Sequence, residues 1–254
     1  MELNTLLQYK PYSTARTEKR ALYAGLLTGL TQFHREHCPE YGRLLDALGC
    51  PAHMDCTVES TPMLPVSLFK ELELRSIPEG EVFKTITSSG TTGQRVSRIF
   101  LDGATSACQQ QALCQIMSDF LGERRLPFLV LDSRQVLRNR AMFSARGAGI
   151  LGFSIFGTRP CYALDEHMEL DLDGVRAFLE EHQGETIFLF GFTFMIWKHV
   201  VRALEERGER LDIPNGILVH GGGWKKLAGE AVSPGEFKAR VAAATGVERV
   251  SNYY

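Results

Sequence analysis

Apolar residues recur at helical spacing near the start of the chain. Residues 17–37 place an apolar side chain every three or four positions, which predicts a helix that the following Cys-Pro pair should end. Residues 40–48 predict a second short helix that a glycine closes. Residues 60–76 run through two prolines into a third short helix. We therefore expect residues 1–80 to form a helical lead-in.

Further along, short apolar runs of strand length alternate with helical patterns. We expect strands at residues 127–132, 186–192, 215–223 and 247–254, and helices at residues 105–121, 172–184, 194–208 and 233–246. Thr193 should cap the third of these helices, whereas the glycine-rich apolar residues 147–160 are assigned no element. The alternation predicts an α/β fold, with the helical lead-in followed by a largely parallel sheet with flanking helices. Residues 81–254 would form the α/β core, combined with the lead-in in one structural domain.

Polar residues and glycines follow three of the predicted strands. Asp132 and Ser133 end the first, Gly191 and Phe192 end the second, and residues 220–223 end the third. In parallel sheets, ligands bind beyond the carboxyl ends of the strands. These three strand ends are therefore the first place to expect a binding site.

A cluster of small donors lies between two further short strands, residues 85–87 and 98–102. Its members are Ser88, Ser89, Gly90, Thr91, Thr92 and Gly93. Glycines let backbone N–H groups converge, and hydroxyls add donors at short range, so the cluster suits a chain of phosphates. It is not the Walker P-loop, because Gln94 and Arg95 follow where that motif has Lys and Ser or Thr. A mobile Ser/Gly hairpin loop is an equal alternative on composition alone.

A second glycine motif, LVHGGGWKK, occupies residues 218–226. Gly221, Gly222 and Gly223 would leave a bare ledge of backbone on which a flat ring could lie. The alternative is a glycine-rich turn in which Trp224 packs as a core anchor.

Composition and charge exclude several classes of protein. The formal net charge is −2, from 28 basic and 30 acidic residues, which argues against a general nucleic-acid-binding protein. An arginine cluster at residues 134–146 could still bind one anionic ligand. No apolar run is long enough to span a membrane. The chain does not open with the apolar core of a secretory signal peptide. Its six scattered cysteines are therefore predicted to be free thiols in a reducing cytosol. The spacing of Cys50, His53 and Cys56 matches known zinc sites only loosely, so we expect no metal there.

The two glycine motifs together resemble those of the adenylate-forming superfamily of acyl-CoA synthetases, luciferases and peptide-synthetase adenylation domains. TSSGTTG, at residues 87–93, is similar to the phosphate loop of that superfamily. The longer run at residues 64–102, with HGGGWKK at residues 220–226, resembles the LuxE-type acyl-protein synthetases. The resemblance covers most of the chain from about residue 64 onward and implies the fold of an adenylate-forming enzyme's N-terminal domain.

This resemblance implies an enzyme that joins a carboxylic acid, expected to be a fatty acid, to ATP as an acyl-adenylate. The acyl group would pass to a protein thiol, with an acyl-CoA reductase-like protein or an acyl carrier as partner. Residues 88–93 would hold the β- and γ-phosphates, and residues 221–223, with Trp224, would lie against the adenine. His220 would be near the acyl–phosphate junction, and Phe190, Gly191 and Phe192 are candidates for acyl contact, or ordinary core residues.

The chain also departs from the pattern that it resembles. The aromatic-Gly-x-x-Glu motif, whose glutamate helps to bind Mg²⁺, would lie beyond Tyr254, and none of the six cysteines matches the acylated one. We therefore expect an N-terminal portion of a longer enzyme, from a truncation or a split gene, that is inactive alone. Two alternatives stay open: a coenzyme A ligase of the phenylacetate type, and a non-catalytic binding module that needs a partner chain.

Overall fold

The computed structural model describes residues 3–87, 95–138, 145–224 and 229–253. They form two compact units, of which the first ends at Asp119 and the second begins at Phe120. This division by packing does not test the predicted lead-in boundary at residue 80, which stays a prediction.

The first unit begins with helices, as the sequence predicts. A 3₁₀ turn at Leu3–Gln8 precedes α1 (Arg16–His37), α2 (Pro39–Ala47) and α3 (Leu68–Glu71). The Cys-Pro junction ends α1 as expected, because Pro39 lacks an N–H for the ladder and instead starts α2 at its first turn. Gly49 follows α2 with φ of 71°, the left-handed conformation that glycine adopts without strain.

A two-stranded antiparallel hairpin follows, also as predicted. Strands β1 (Lys84–Thr87) and β2 (Arg98–Leu101) pair in register from Lys84 with Leu101 to Thr87 with Arg98. Helix α4 (Gly103–Leu121) begins directly after β2, where the Asp102 carboxylate accepts a 2.6 Å hydrogen bond from the N–H of Thr105.

The second unit is a five-stranded sheet in which every strand pair is parallel. Its strands are β3 (Leu126–Ser133), β4 (Gly157–Leu164), β5 (Ile187–Phe192), β6 (Gly216–Gly221) and β7 (Arg249–Tyr253), in the spatial order β4-β3-β5-β6-β7. Its helices are α5 (Gln135–Arg138), α6 (Ala145–Phe153), α7 (Leu172–Glu181), α8 (Thr193–Ile196), α9 (Arg202–Arg207) and α10 (Pro234–Thr245). The parallel α/β architecture predicted from the alternation of elements is confirmed.

Helices cover both faces of this sheet. On one face, Leu129, Leu189 and Leu218 pack in a buried cluster with side chains of α7 to α10. On the other face, Phe153 of α6 stacks on Phe190 with ring centroids 4.3 Å apart. Burial on both faces explains why the strands read as continuous apolar runs rather than alternating ones.

Three of the named helices and strands were not predicted from the sequence, and one detail of the prediction is wrong. Helix α5 was not predicted. Strand β4 and helix α6 each overlap the glycine-rich residues 147–160, which received no element because glycines and a proline weaken both periodicities. Thr193 does not cap the helix after β5: Phe192 occupies the N-cap position, and no side chain caps that end. The Thr193 hydroxyl instead bonds to the end of β6, since it is buried against that strand.

No helix among the described residues is both long and apolar enough to cross a bilayer.

Candidate functional site at the carboxyl edge of the sheet

The strand order places a ligand crevice between the carboxyl ends of β3 and β5. The chain leaves β3 to form α6 on one face of the sheet, and it leaves β5 to form α8 on the other. Neighbouring strands whose connections diverge in this way open a crevice at their carboxyl ends, which is where doubly wound sheets bind ligands. Strand β3 ends at Ser133 and β5 ends at Phe192, so the rule predicts the crevice beside Asp132 and Ser133 on one side and beside Phe192 and Thr193 on the other.

Thr193 ties the end of β5 to the glycine turn that follows β6. Its hydroxyl oxygen lies 2.9 Å from Nδ1 of His220, 3.1 Å from the carbonyl oxygen of Gly221 and 2.8 Å from that of Gly222. A hydroxyl has one proton and carbonyl oxygens only accept, so the contacts are best satisfied when Thr193 donates to a carbonyl and His220 Nδ1–H donates to Thr193. Sequence reasoning missed this role, although a threonine directly after a buried strand was a usable signal.

Two of the three glycines in the predicted ledge are packed against other parts of the protein, and the third is open. Gly222 has φ of 71°, and a Cβ added there would lie 2.8 Å from Cδ1 of Phe192. A Cβ on Gly221 would lie 3.1 Å from the carbonyl oxygen of Tyr253 in the neighbouring strand. Around Gly223, by contrast, no described heavy atom lies within 4 Å of such a Cβ, so its backbone is open on that side. Gly223 is therefore the member of the motif best placed to face a ligand ring.

His220 is buried, and its imidazole is neutral near pH 7. Burial, with the charge of the nearby Lys238 ammonium as a smaller second cause, lowers its pKa from 6.5 to about 4. Its ring also packs on Phe237, with centroids 4.7 Å apart. A neutral, buried imidazole that hydrogen-bonds Thr193 is suited to fixing the glycine turn.

A buried ion pair lies at the other side of the crevice. Asp132 is fully buried, and its Oδ1 accepts hydrogen bonds from Arg146 Nη2 at 2.9 Å and from the N–H of Ser133 at 2.7 Å. Burial raises the pKa of this carboxyl, while the positive charge of Arg146 acts to lower it. Sequence reasoning named Asp132 as a strand end and Arg146 as part of an arginine cluster, but did not bring the two together.

A π-helical turn at Trp197–Val201 joins α8 to α9 and carries His199. His199 Nδ1 lies 2.9 Å from the carbonyl oxygen of Met168, and burial lowers the pKa of this imidazole. The charges of Asp132 and Arg146 also act on it, in opposite directions. Such turns recur at functional sites, and no periodicity in the sequence could have predicted this one.

Two of the sequence-predicted contact residues lie in the packed interior, and a third lies at its edge. Phe190 is buried and stacks on Phe153, and a Cβ on Gly191 would lie 2.9 Å from Cβ of Leu131. Trp224 is half-buried and meets Trp197 edge to face at 5.3 Å, as the core-anchor alternative describes. Phe192, at the crevice, is the more accessible aromatic candidate for acyl contact.

The predicted phosphate loop, residues 88–93, lies outside the described residues. The hairpin that carries it is described, and the loop starts after Thr87 and returns before Arg98. The two arginines near its end are engaged: Arg95 with Glu71 at 3.1 Å and Arg98 with Glu73 at 3.6 Å. Both pairs are exposed, and such pairs exchange partners at little cost.

Comparison with known proteins identifies the family. The sequence profile of the family described as "Acyl-protein synthetase, LuxE" matches residues 2–254. This chain belongs to the LuxE acyl-protein synthetase family. The LuxE resemblance on the two glycine motifs is thereby confirmed.

The LuxE-family chain is also similar to a named bacterial protein. It is 22% identical over 233 residues to a protein of Vibrio harveyi named long-chain-fatty-acid–luciferin-component ligase, covering 89% of this chain and 59% of that protein. It thus spans less than two thirds of the length of that relative.

Solved structures of 2-hydroxyisobutyryl-CoA ligase show the same fold. The open conformation, in complex with 2-HIB-AMP and CoA, superposes with a TM-score of 0.60 at 15% identity over 97% of this chain and 54% of that one. The thioesterification state gives a TM-score of 0.60 at 18% identity over 94% of this chain and 49% of that one. The expected fold, that of adenylate-forming ligases, is confirmed for this LuxE-family chain.

Magnesium, which the resemblance implies, has no site among the described residues. They contain no group of three or more His, Cys, Asp or Glu side chains placed to hold a metal ion. The residue that would bind this ion stays a prediction.

Proposed function

We propose that this chain is part of an acyl-adenylate-forming ligase, in which a carboxylate attacks the α-phosphate of ATP to give an acyl-adenylate and pyrophosphate. The observation that carries the proposal is the family match over residues 2–254. The crevice at the carboxyl edge of the sheet, with its glycine turn held by Thr193, is consistent with it.

In this proposal the glycine turn binds the adenine ring of ATP. Backbone at Gly223 and the neighbouring Gly222 lies against one face of the ring, while Thr193 and neutral His220 keep the turn in place. A turn that is set before binding costs less entropy when the nucleotide arrives. Residues 88–93 bind the β- and γ-phosphates through backbone N–H groups and hydroxyls.

The acid is proposed to be a fatty acid, following the name of the Vibrio harveyi relative. Phe192 is proposed to contact its acyl chain near the reacting carboxylate. Two anions meet in this reaction, so donors and cations at the site must screen their repulsion. The acyl group would then pass to a protein thiol, with an acyl-CoA reductase-like protein or an acyl carrier as the partner.

None of the described cysteines is assigned as the acylated thiol. Burial raises the pKa of Cys161 to about 11, with the Asp171 carboxylate as a further cause, so that thiol is protonated near pH 7. Cys38 and Cys56 are buried. We propose that residues 1–254 alone turn over little or no substrate, and the acylated thiol stays unassigned.

Exchange of pyrophosphate into ATP tests the first half-reaction. It should be run with carboxylic acids of graded chain length, on the 254-residue chain and on the longest natural product of its gene. Acid-dependent exchange supports the proposal, whereas no exchange with any acid by the longer product overturns it. A labelled acid then separates the acceptors: label on protein favours the acyl-protein reaction, and thioester formed only with added coenzyme A favours the coenzyme A ligase instead.

A further inference from the structure

A groove of about 410 Å³ lies on the first unit, and none of the residues that line it belongs to the crevice at the carboxyl edge of the sheet. Three parts of the chain build it: residues 6–14, helix α1 and helix α4. Small-molecule sites in proteins typically enclose about 300–1,000 Å³. The groove is therefore large enough for a small ligand, and the proposed adenylation leaves it unused.

Apolar side chains from all three parts of the chain form much of the groove wall. They are Leu6, Leu7, Pro11, Leu22, Ala112 and Ile116. Each of them keeps some contact with solvent, and Ile116 is 40% exposed. Covering such a surface with an apolar chain removes it from water, which is favourable in proportion to the area covered. The groove is thus accessible and favours a ligand with an apolar body.

The charge of the groove has one sign. Lys10 and Lys19 line it, and none of the described residues that line it is acidic. Both lysines are exposed, and no described carboxylate forms an ion pair with either of them. The Lys19 ammonium lies 5.4 Å from the centroid of the Tyr23 ring, a contact that leaves its charge uncompensated. Charge complementarity therefore favours a ligand with a negative group.

Hydrogen bonds hold the N-terminal side of the groove in place. Gln115 of α4 donates from Nε2 to the carbonyl oxygen of Leu7 at 2.8 Å, across 108 positions of sequence. Ser13 closes the next turn, because its N–H and its hydroxyl both donate to the carbonyl oxygen of Lys10, at 3.2 and 2.7 Å. A groove that is held in this way needs little rearrangement to accept a ligand, which lowers the entropic cost of binding.

We propose that this groove is a second binding site for a free fatty acid, separate from the crevice where the acid reacts. The alkyl chain covers the apolar wall, and the carboxylate is held by Lys10 and Lys19. The apolar body and the negative charge follow from the residues that line the groove. The choice of a carboxylate as the negative group rests on the proposed function.

Photolabelling of the full-length protein distinguishes this site from the crevice. The probe is dodecanoic acid with a diazirine near its methyl end, used below its micellar concentration, and the matched probe is the corresponding alcohol. Mass spectrometry of the labelled peptides gives the affinity at each site separately. In wild type, residues 6–23 and 103–121 should be labelled in a saturable way that unlabelled dodecanoate prevents. The acid should bind there about fivefold more tightly than the alcohol, the scale of two exposed ion pairs.

Two variants test the charge and the apolar wall independently. Lys10→Gln with Lys19→Gln should bind the acid and the alcohol equally in the groove, whereas the control Lys70→Gln with Arg124→Gln removes two exposed cations elsewhere and should keep the preference for the acid.

Ala112→Phe fills part of the groove and should abolish labelling there while labelling elsewhere in the protein continues. Its control is Ala104→Phe, at an exposed position of the same helix that does not line the groove. This control should be labelled as wild type is.

Three outcomes overturn the second site. In the first, wild type carries no saturable label in residues 6–23 or 103–121. In the second, Ala112→Phe leaves that label unchanged, so the acid is not held in the groove. In the third, wild type binds the acid and the alcohol equally there, so the lysines do not bind a carboxylate. Each outcome leaves the proposed adenylation untouched, because pyrophosphate exchange tests that reaction separately.

Discussion

The hydroxyl oxygen of Thr193 lies 2.8 Å from the carbonyl oxygen of Gly222, although the two residues are 29 positions apart in the sequence. The same hydroxyl meets Nδ1 of His220 at 2.9 Å. One buried side chain thus connects two carboxyl strand ends. If the glycine turn receives the adenine, Thr193 determines its position without touching the nucleotide.

Replacement of Thr193 by valine keeps the volume and removes the hydroxyl. The carbonyl of Gly222 and the imidazole of His220 each lose a partner in a buried setting, so we expect a loss of about 1–3 kcal/mol in the free energy of unfolding. Denaturation in urea measures it.

Thr193→Ser is the matched control, because it keeps the hydroxyl and deletes only a methyl group. It should retain most of the stability that valine loses. Equal losses in the two variants would show that packing, and not the hydrogen bonds, is what Thr193 contributes.

Alanine at Gly222 and at Gly223 should have different effects. At Gly222 the new Cβ meets the Phe192 ring and the backbone has φ of 71°, which disfavours any side chain, so we expect a loss of about 1–3 kcal/mol. At Gly223 the space is open among described residues, so stability should hold while ATP binding weakens.

Thermal unfolding and nucleotide titration of these two variants give the two readouts. A Gly223→Ala variant that binds ATP as wild type does would argue against an adenine ledge at this residue. A Gly222→Ala variant as stable as wild type would argue against the packing on Phe192.

Stability should fall in mild acid because of His220. Burial lowers the pKa of this imidazole from 6.5 to about 4, so the unfolded chain binds a proton that the folded chain rejects. The stabilising contribution is complete above pH 6.5 and is lost as the pH falls through about 4, with a total of roughly 3 kcal/mol.

The difference between wild type and His220→Gln isolates this contribution from that of other histidines. Unfolding free energies measured from pH 7.5 to 4 should show the wild type losing its advantage in that window. Parallel pH profiles would mean that His220 is not titrated by unfolding.

The Asp132–Arg146 pair should show strong coupling in stability. Removing either partner leaves a buried charge uncompensated, so Asp132→Leu and Arg146→Met should each cost about 3–5 kcal/mol. The double variant should recover most of this loss. A double-mutant cycle measures the coupling, and additive losses would show that the two charges act independently.

The sequence predicts the sheet well because its strands are buried on both faces. Runs such as residues 127–132 and 186–192 are continuously apolar, and they became β3 and β5. The strand β4 was missed, since Gly157 and Pro160 interrupt its pattern. Gly157 is required by a packing contact that no local pattern reveals: a Cβ there would lie 2.5 Å from Cβ of Phe128.

The candidate site was predictable only in part. Strand ends pointed to Asp132 and His220, because the rule for parallel sheets depends on topology alone. The partners of these residues, Arg146 and Thr193, are brought to them by the fold from other elements. Local sequence contains no signal for such a tertiary pairing.

Exchange of labelled pyrophosphate into ATP by the full-length protein tests the central claim most directly. Wild type should catalyse exchange only when a carboxylic acid is present. Thr91→Ala combined with Thr92→Ala should lower exchange at limiting ATP by about 10- to 100-fold, which corresponds to a loss of about 1–3 kcal/mol of phosphate contact. Exchange with no dependence on any acid, or no exchange at all, would contradict the claim that this chain is part of an acyl-adenylate-forming ligase.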